Sequence, residues 1–428
     1  MSAPSTILKT AAAAFLAAYT FPVVHHWLTI FGFLRNPNSS HVEEGSILKI
    51  EDTVHCEDVH QYSDWLFTAC EDSFPTRFSW FPPLGIFKDP VLASQARGSI
   101  HVIDTKGFKS KRLVLQNFDS SFTTHGIEII ADPKQNGAVY IFAVNHAPHP
   151  EYVLSVKDQT PLPDGAPKAR SQIEVFRHVL GSSTAKWIRS IRHPLIRTPN
   201  DIFAHTPTSI YVTNDHYYTE GHLRQVEDMI SLAKWSNIIR VQIDDWSGSD
   251  PQAGINASIA LTGLHNNNGL GHGPSHEDVA IGSAASGVLH LADITDTQQL
   301  KVKESIYLDS TIDNPSYFKD EYVTEESDAS GYVLGGLTKA AELAKTSRNE
   351  TATEAVIVWL VQPVKEEGRA TTKWNKKIIF EDDGSRIRSS SGALLVGIDP
   401  ALEGGKKRAW LVVSGFLSSS TIAVKVDL

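Results

Sequence analysis

The sequence predicts an all-β fold, a six-bladed β-propeller with a polar central channel, preceded by a hydrophobic N-terminal helix. Three observations carry this expectation. Short β-rich runs recur along the chain, six of them stop at small or polar residues, and a second series of polar pairs runs ahead of those stops.

The β-rich runs are 65–69, 138–144, 209–213, 287–292, 331–334, 393–396 and 409–413. β-Branched and aromatic side chains fit a pleated, half-buried surface. The stops are Cys70-Glu71-Asp72, Asn145-His146, Asn214-Asp215, Asp293, Gly335-Gly336 and Ser414-Gly415. Their spacing is uneven, so this is a repeat of about six units and not a clean tandem array. The second series is Glu57-Asp58, His125-Gly126, Asn200-Asp201, Asn268-Gly269 and Asp313-Asn314. One strand per blade lines the channel of a propeller, so a polar pair supplied once per blade converges on the axis. Ordinary Asn/Asp/Gly turns produce the same pattern, and spacing alone leaves both readings open.

One helical series interrupts the β pattern. Leu223, Val226, Met229, Ile230 and Ala233 recur at helical spacing, which predicts a helix over 222–235 with one apolar face. Segments 147–173, 250–282 and 340–375 read as loops or insertions, being rich in Pro or in Gly, Asn and His. No inter-domain linker stands out. The organisation is a hydrophobic segment over 1–40 and one domain over 41–428.

Of the 428 residues, 41% are apolar and 21% charged, enough for a sizeable core. A net charge of −10 argues against a nucleic-acid partner. Between Lys9 and Arg35 lie 25 residues without Lys, Arg, Asp or Glu. That is long enough to span a bilayer, although Pro22, His25 and His26 interrupt it. A signal-anchor and a cleaved signal peptide both explain it, and a buried soluble helix is the third reading. Either of the first two delivers a membrane-anchored or secreted glycoprotein to the secretory pathway. Sequons at Asn38, Asn256 and Asn349 agree with that address. The only cysteines are Cys56 and Cys70. Two strands turning near Ser63-Asp64 bring them opposite each other, which predicts a local bridge or two neighbouring thiols.

Several routes to catalysis are closed. There is no Gly-x-Ser-x-Gly elbow, no His-Glu-x-x-His, no P-loop and no dinucleotide fingerprint. What remains is a set of hard oxygen ligands. Glu57, Asn200, Asn268, Asp313 and Asn314 offer two carboxylates and three amides, a set suited to calcium and poorly suited to zinc. Asp58 and Asp201 adjoin two of these residues. Strand neighbours point to opposite faces, so one member of each pair can serve one ion and its neighbour a second. His265, His272 and His276 read either as a separate transition-metal cluster or as a polar loop.

The runs Pro199-Asn200-Asp201-Ile202 and Tyr211-Val212-Thr213-Asn214-Asp215-His216-Tyr217-Tyr218 resemble the calcium motif of the paraoxonase/arylesterase family. So does His125-Gly126-Ile127 followed by a strand ending Val144-Asn145-His146, and the remaining polar pairs fall in matching order. The resemblance covers about residues 41–428, is strong over 120–235 and is looser beyond 330. It implies a six-bladed propeller holding two calcium ions. The catalytic ion would be held by Glu57, Asn200, Asn268, Asp313 and Asn314. The structural ion would be held by Asp58, Asp201 and the backbone carbonyl of Ile127. His125 and His146 would form the family's histidine dyad, with His125 as a general base of near-neutral pKa. The implied substrate is a small-molecule lactone or aryl ester.

Three departures qualify the resemblance. The family joins its first and last blades by a disulfide, yet the chain ends Val424-Lys425-Val426-Asp427-Leu428 with no cysteine. The run Asn266-Asn267-Asn268 leaves the amide ligand open by one or two positions. The insert after His146 lies near the expected mouth of the site. Two rival readings stand beside this one: a non-enzymatic calcium propeller that binds a partner, and another propeller enzyme of gluconolactonase-like or strictosidine-synthase-like type.

Overall fold

The computed structural model describes residues 9–10, 17–18, 20–21, 23–364 and 373–428. Six antiparallel sheets follow one another along the chain as the blades of a propeller. Their innermost strands are Cys56–Tyr62, Thr124–Ala131, Pro199–Thr206, Asn267–His272, Pro315–Phe318 and Ser390–Ile398. Each inner strand pairs outward with its sequence neighbour, as in Ala138–Pro148 against Thr124–Ala131. Blade 2 carries a fifth strand, Val114–Gln116, added in parallel.

Apolar side chains from adjoining blades interdigitate to form the core. Phe142, Val144, Ile173 and Val175 of blade 2 meet Ile202, Ile210, Val212 and Ile239 of blade 3. The ring closes without a first-to-last disulfide. Strand Ile47–Ile50, the first in the sequence, becomes the outer strand of blade 6 by pairing with Thr421–Asp427, Ile47 facing Val424. Ile50 packs against Val59, Leu66 and Ile103 of blade 1 and Leu394 and Val412 of blade 6. Hydrogen bonds and buried apolar area thus tie the ends of the chain together. Cys56 and Cys70 sit opposite each other on the first two strands of blade 1 and form a disulfide, their Cα atoms 4.0 Å apart.

Some local expectations fail for physical reasons. Run 287–292 lies in the third strand of blade 4, Val288–Ile294, and the second strand of that blade is Asp278–Ser283. Most of 250–282 is strand: Ile255–Leu264 is the outer strand of blade 3, and in the inner strand Asn267–His272 Gly269 and Gly271 sit where neighbouring backbones come close. The helix predicted over 222–235 stops at Met229, and Ile230 is extended. Its buried residues are Arg224 and Glu227, while Leu223 and Met229 are exposed. Glu227 accepts the Tyr217 and Tyr218 N–H groups, so polar contacts fix the helix's orientation over its apolar stripe.

Part of the predicted hydrophobic helix, including Ala11 to Ala14, Phe15, Leu16 and Pro22, lies outside the described residues. Residues 23–29 are helical, and the chain then docks on the propeller. Thr311 N–H donates to Ile30 O, and Ala341 N–H donates to Phe31 O. Among the described residues no helix is long and apolar enough to cross a membrane. The sequon residues Asn38, Asn256 and Asn349 are all exposed.

Candidate metal centre and histidine pair

The inner strands share an irregularity that builds the site. Pairing with the second strand breaks between Cys56 and Val59, between Pro199 and Ile202, between Asn267 and Leu270, and between Ser390 and Ala393. Blade 2 shows the matching break opposite Thr124 and Ile127. A bulge frees residues from the ladder and re-aims their side chains. The freed residues are Glu57-Asp58, His125-Gly126, Asn200-Asp201, Asn268-Gly269 and Ser391-Gly392. The polar pairs are therefore bulge residues at the channel. In blade 5 Asp313-Asn314 stands just ahead of Pro315–Phe318, and Asn314 bridges to Gly392. Glycine is required where the ring is tightest. A Cβ on Gly126 would lie 2.5 Å from Asn200 O, and one on Gly269 would lie 2.4 Å from the Asn314 Cα.

Glu57, Asn200, Asn268, Asp313 and Asn314 come from blades 1, 3, 4 and 5. Glu57 Oε2 and the Oδ1 atoms of Asn200, Asn268, Asp313 and Asn314 are all buried without a hydrogen-bond partner. A buried polar atom left unpaired is costly, and these five are hard oxygen donors of the kind that suit a calcium ion. The Asn314 amide donates to Glu57 Oε1 at 2.9 Å, and the Ser391 and Ser414 hydroxyls donate to Glu57 O. Burial, followed by the charges of Asp313, Asp58 and Asp201, holds the Glu57 carboxyl well above its usual range. Burial and then Asp58 do the same to Asp313. Protonation or a bound cation relieves both. Within the Asn266–Asn268 run, Asn266 is committed to Asp215 O and Ala285 N–H, whereas Asn268 Oδ1 has no partner and faces the cavity with Glu57 and Asp313.

That cavity, of about 490 Å³, is lined by Glu57, Asn200, Asn268 and Asp313 of this set. His125 lies on its wall, with Nε2 3.9 Å from Glu57 Oε1. His125 Nδ1 lies 3.1 Å from His146 Nε2, and His146 Nδ1 lies 2.9 Å from Ser171 Oγ. The dyad predicted from the sequence is thus assembled as a hydrogen-bonded chain. Its titration differs from expectation. Burial, then His146 and Arg77, pushes His125 well below the usual imidazole range, and burial lowers His146 to about 3. Both rings are held neutral.

Asp58 and Asp201 also converge, but with an unforeseen companion. Ligand atoms of Asp58, His60 and Asp201 all lie within 4.8 Å of one another. His60 Nε2 is 2.8 Å from Asp58 Oδ2. From Ile127 it is the N–H that reaches this group, directed at Asp58 Oδ2 at 3.4 Å. Glu128 and His272 extend the cluster. The signal for His60 was present in the sequence: positions i and i+2 of a strand share a face, so His60 follows Asp58.

Other residues were missed for lack of any local signal. Trp27 and Phe31, stacked at 4.6 Å, line the cavity from the N-terminal segment. Phe81 meets the His125 ring edge-on and stacks on Phe416. Buried Arg77 donates to His55 O and Thr124 O beneath them. The suggested cluster of His265, His272 and His276 does not assemble. His265 bonds Ser286 and Glu227 O, His272 bonds Glu128, and His276 stacks on His205.

Fold and axis together define a six-bladed propeller with an oxygen-lined channel. Residues 165–321 match the family model described as Arylesterase. Serum paraoxonase/arylesterase 2 of Rattus norvegicus is 24% identical over 240 residues, 55% of this chain and 57% of that protein. Serum paraoxonase/arylesterase 2 of Gallus gallus is 26% identical over 233 residues, 54% of this chain and 56% of that protein. Serum paraoxonase/lactonase 3 of Oryctolagus cuniculus is 22% identical over 318 residues, 72% and 76% of the two chains. The match spans little more than half the length of the first two relatives. The resemblance to the paraoxonase/arylesterase family drawn from the motifs is borne out by these matches.

Proposed function

We propose that the chain is a calcium-dependent hydrolase of lactones or aryl esters. The observation that carries this reading is the set of unpartnered, buried oxygens on Glu57, Asn200, Asn268 and Asp313 in the wall of a cavity shared with His125, with the unpartnered Asn314 Oδ1 on a side chain bonded to Glu57. Hard oxygen donors in that number suit calcium. A calcium ion held there supplies positive charge against the oxyanion that develops during acyl transfer.

The remaining work falls to the chain's own side chains. With its proton on Nδ1 facing His146 Nε2 at 3.1 Å, neutral His125 has its Nε2 lone pair on the Glu57 side. It takes the proton of the attacking water as general base. His146 fixes that tautomer and is itself oriented by Ser171. Trp27, Phe31 and Phe81 exclude bulk water and give an apolar acyl or aryl group a surface to lie on. The names of the relatives, arylesterase and lactonase, support the same chemistry. The test is a panel of lactones and aryl esters assayed with and without a calcium chelator. Hydrolysis that calcium restores supports the proposal, and inertness towards the whole panel removes it.

A further inference from the structure

The second pair of axial carboxylates does not make a convincing calcium site. Calcium takes six to eight oxygens, and here the donors within reach are few. Asp58 Oδ1 accepts Val59 N–H at 2.8 Å with a lone pair to spare, and Oδ2 faces His60 Nε2 at 2.8 Å. Asp201 Oδ1 accepts Ile202 N–H and Oδ2 accepts Leu270 N–H, each at 2.7 Å. The third member of the cluster is an imidazole nitrogen, a ligand that calcium avoids and that zinc and its neighbours favour.

The surroundings of His60 are those of a metal-bound histidine. Nε2 points at the two aspartates, and Nδ1 faces Glu128 Oε1 at 3.6 Å. A carboxylate behind the distal ring nitrogen is the usual device for orienting a ligating histidine. Glu128 is itself pinned: Oε2 accepts Ala204 N–H at 3.1 Å and meets His272 Nε2 at 2.8 Å, and Oε1 accepts Ile129 N–H at 2.7 Å. Asp58, Asp201 and Glu128 are buried. The cluster also has its own access. Asp58, His60 and His272 line a cavity of about 120 Å³ that is separate from the one above Glu57.

We propose that Asp58, His60 and Asp201 hold a divalent transition-metal ion of the zinc type, not calcium. The three ligand atoms lie within 4.8 Å of one another, with His60 Nε2 2.8 Å from Asp58 Oδ2, so side-chain adjustment can set them around one ion at the roughly 2.0–2.2 Å that zinc requires. One water or backbone carbonyl completes a four-coordinate shell. The chain then carries two chemically different ions on one axis.

The experiment counts metals in the full chain. His205, His276 and Glu277 also bring ligand atoms within 4.8 Å at the surface, so the count is made on His276→Ala to exclude zinc bound there. The protein is stripped, incubated with calcium in excess and zinc at one equivalent, desalted and analysed by elemental mass spectrometry. About one zinc per chain is expected, and none is expected after the further change His60→Gln. Cobalt in place of zinc should give visible absorption that His60→Gln abolishes. Should that variant not fold, the zinc count and the cobalt spectrum of the His60-containing protein decide alone. Calcium filling the position with no zinc retained overturns the proposal. So does absence of zinc with a count unchanged by His60→Gln, which leaves His60 as the internal partner of Asp58. Because the readout is metal content, its failure is distinct from failure of the hydrolase reading.

Discussion

The Asn314 side chain donates to Glu57 Oε1 at 2.9 Å, joining blade 5 to blade 1 across 257 positions of sequence. Glu57 is thereby fixed beside Asn200, Asn268 and Asp313, and the same ring of residues carries a second group one position further on. That offset makes the effects of adjacent substitutions separable.

Asn200→Ala removes one neutral oxygen from the upper set, so hydrolysis should fall at least about tenfold with little change in melting temperature. Asp201→Ala leaves the Ile202 and Leu270 N–H groups unpaired. Each buried orphan costs about 1–3 kcal/mol, so this variant should melt several degrees lower. His125→Gln should lose about 10²-fold or more in rate, with calcium content retained. Rates and thermal melts on the three variants check the pattern. Equal melting temperatures for Asn200→Ala and Asp201→Ala would count against it.

Ring closure rests on the strand Ile47–Ile50. Ile50 is fully buried between blades 6 and 1, so Ile50→Ala should destabilise by about 2–5 kcal/mol. Denaturant unfolding reads this directly. A loss below about 1 kcal/mol would mean that closure depends on something else.

The Cys56–Cys70 bridge has a sequence separation of 14. A loop of about that size is worth about 3 kcal/mol through the unfolded chain. Replacing both residues with serine should lower stability by that order. Glu57 is held independently by Asn314, Ser391 and Ser414, so the variant's hydrolytic rate at low temperature should change little.

Much of this arrangement was legible in the sequence. The repeat of polar pairs marked the inner strands, because a channel-lining bulge needs small or polar residues at a fixed place in each blade. Glu57, His125, Asn200, Asn268, Asp313 and Asn314 stood in that series, but spacing alone left ordinary turns open, and pairing His125 with His146 came only from the family resemblance. The pairing of Ile47–Ile50 with Thr421–Asp427 was not, since nothing in a four-residue apolar strand names a partner at the other end of the chain. Trp27 and Phe31 were hidden likewise: an apolar N-terminus reads as a membrane segment whether or not part of it folds over a cavity. The 222–235 helix misled because helical periodicity registers an apolar stripe and is blind to the buried Arg224 and Glu227 contacts.

Acid should weaken the part of the stability that depends on a neutral His101. Burial, then Arg112, lowers His101 from 6.5 to about 4. Its ring nitrogens meet Ser99 Oγ and Ser110 Oγ. Between pH 6.5 and 4 the unfolded chain binds a proton there that the folded chain does not, so stability is full above 6.5 and falls as pH drops, by up to about 1.4 kcal/mol per pH unit for this residue. His290, lowered to about 4 by burial and then Lys234, acts in the same direction. Denaturant unfolding from pH 7 to 4 should show the decline, and His101→Gln should make it shallower. A slope identical to that of the wild-type chain would exclude His101 as a contributor.

The central claim is that the five oxygens around Glu57 hold a calcium ion on which hydrolysis depends. Its most direct test is a calcium titration into chelator-stripped protein, following aryl ester or lactone hydrolysis and bound calcium in the same samples. The account predicts that activity is lost on stripping and returns in proportion to the calcium bound at this position, and that Glu57→Gln abolishes both. Full activity in stripped protein, or calcium binding that leaves the rate unchanged, would contradict it.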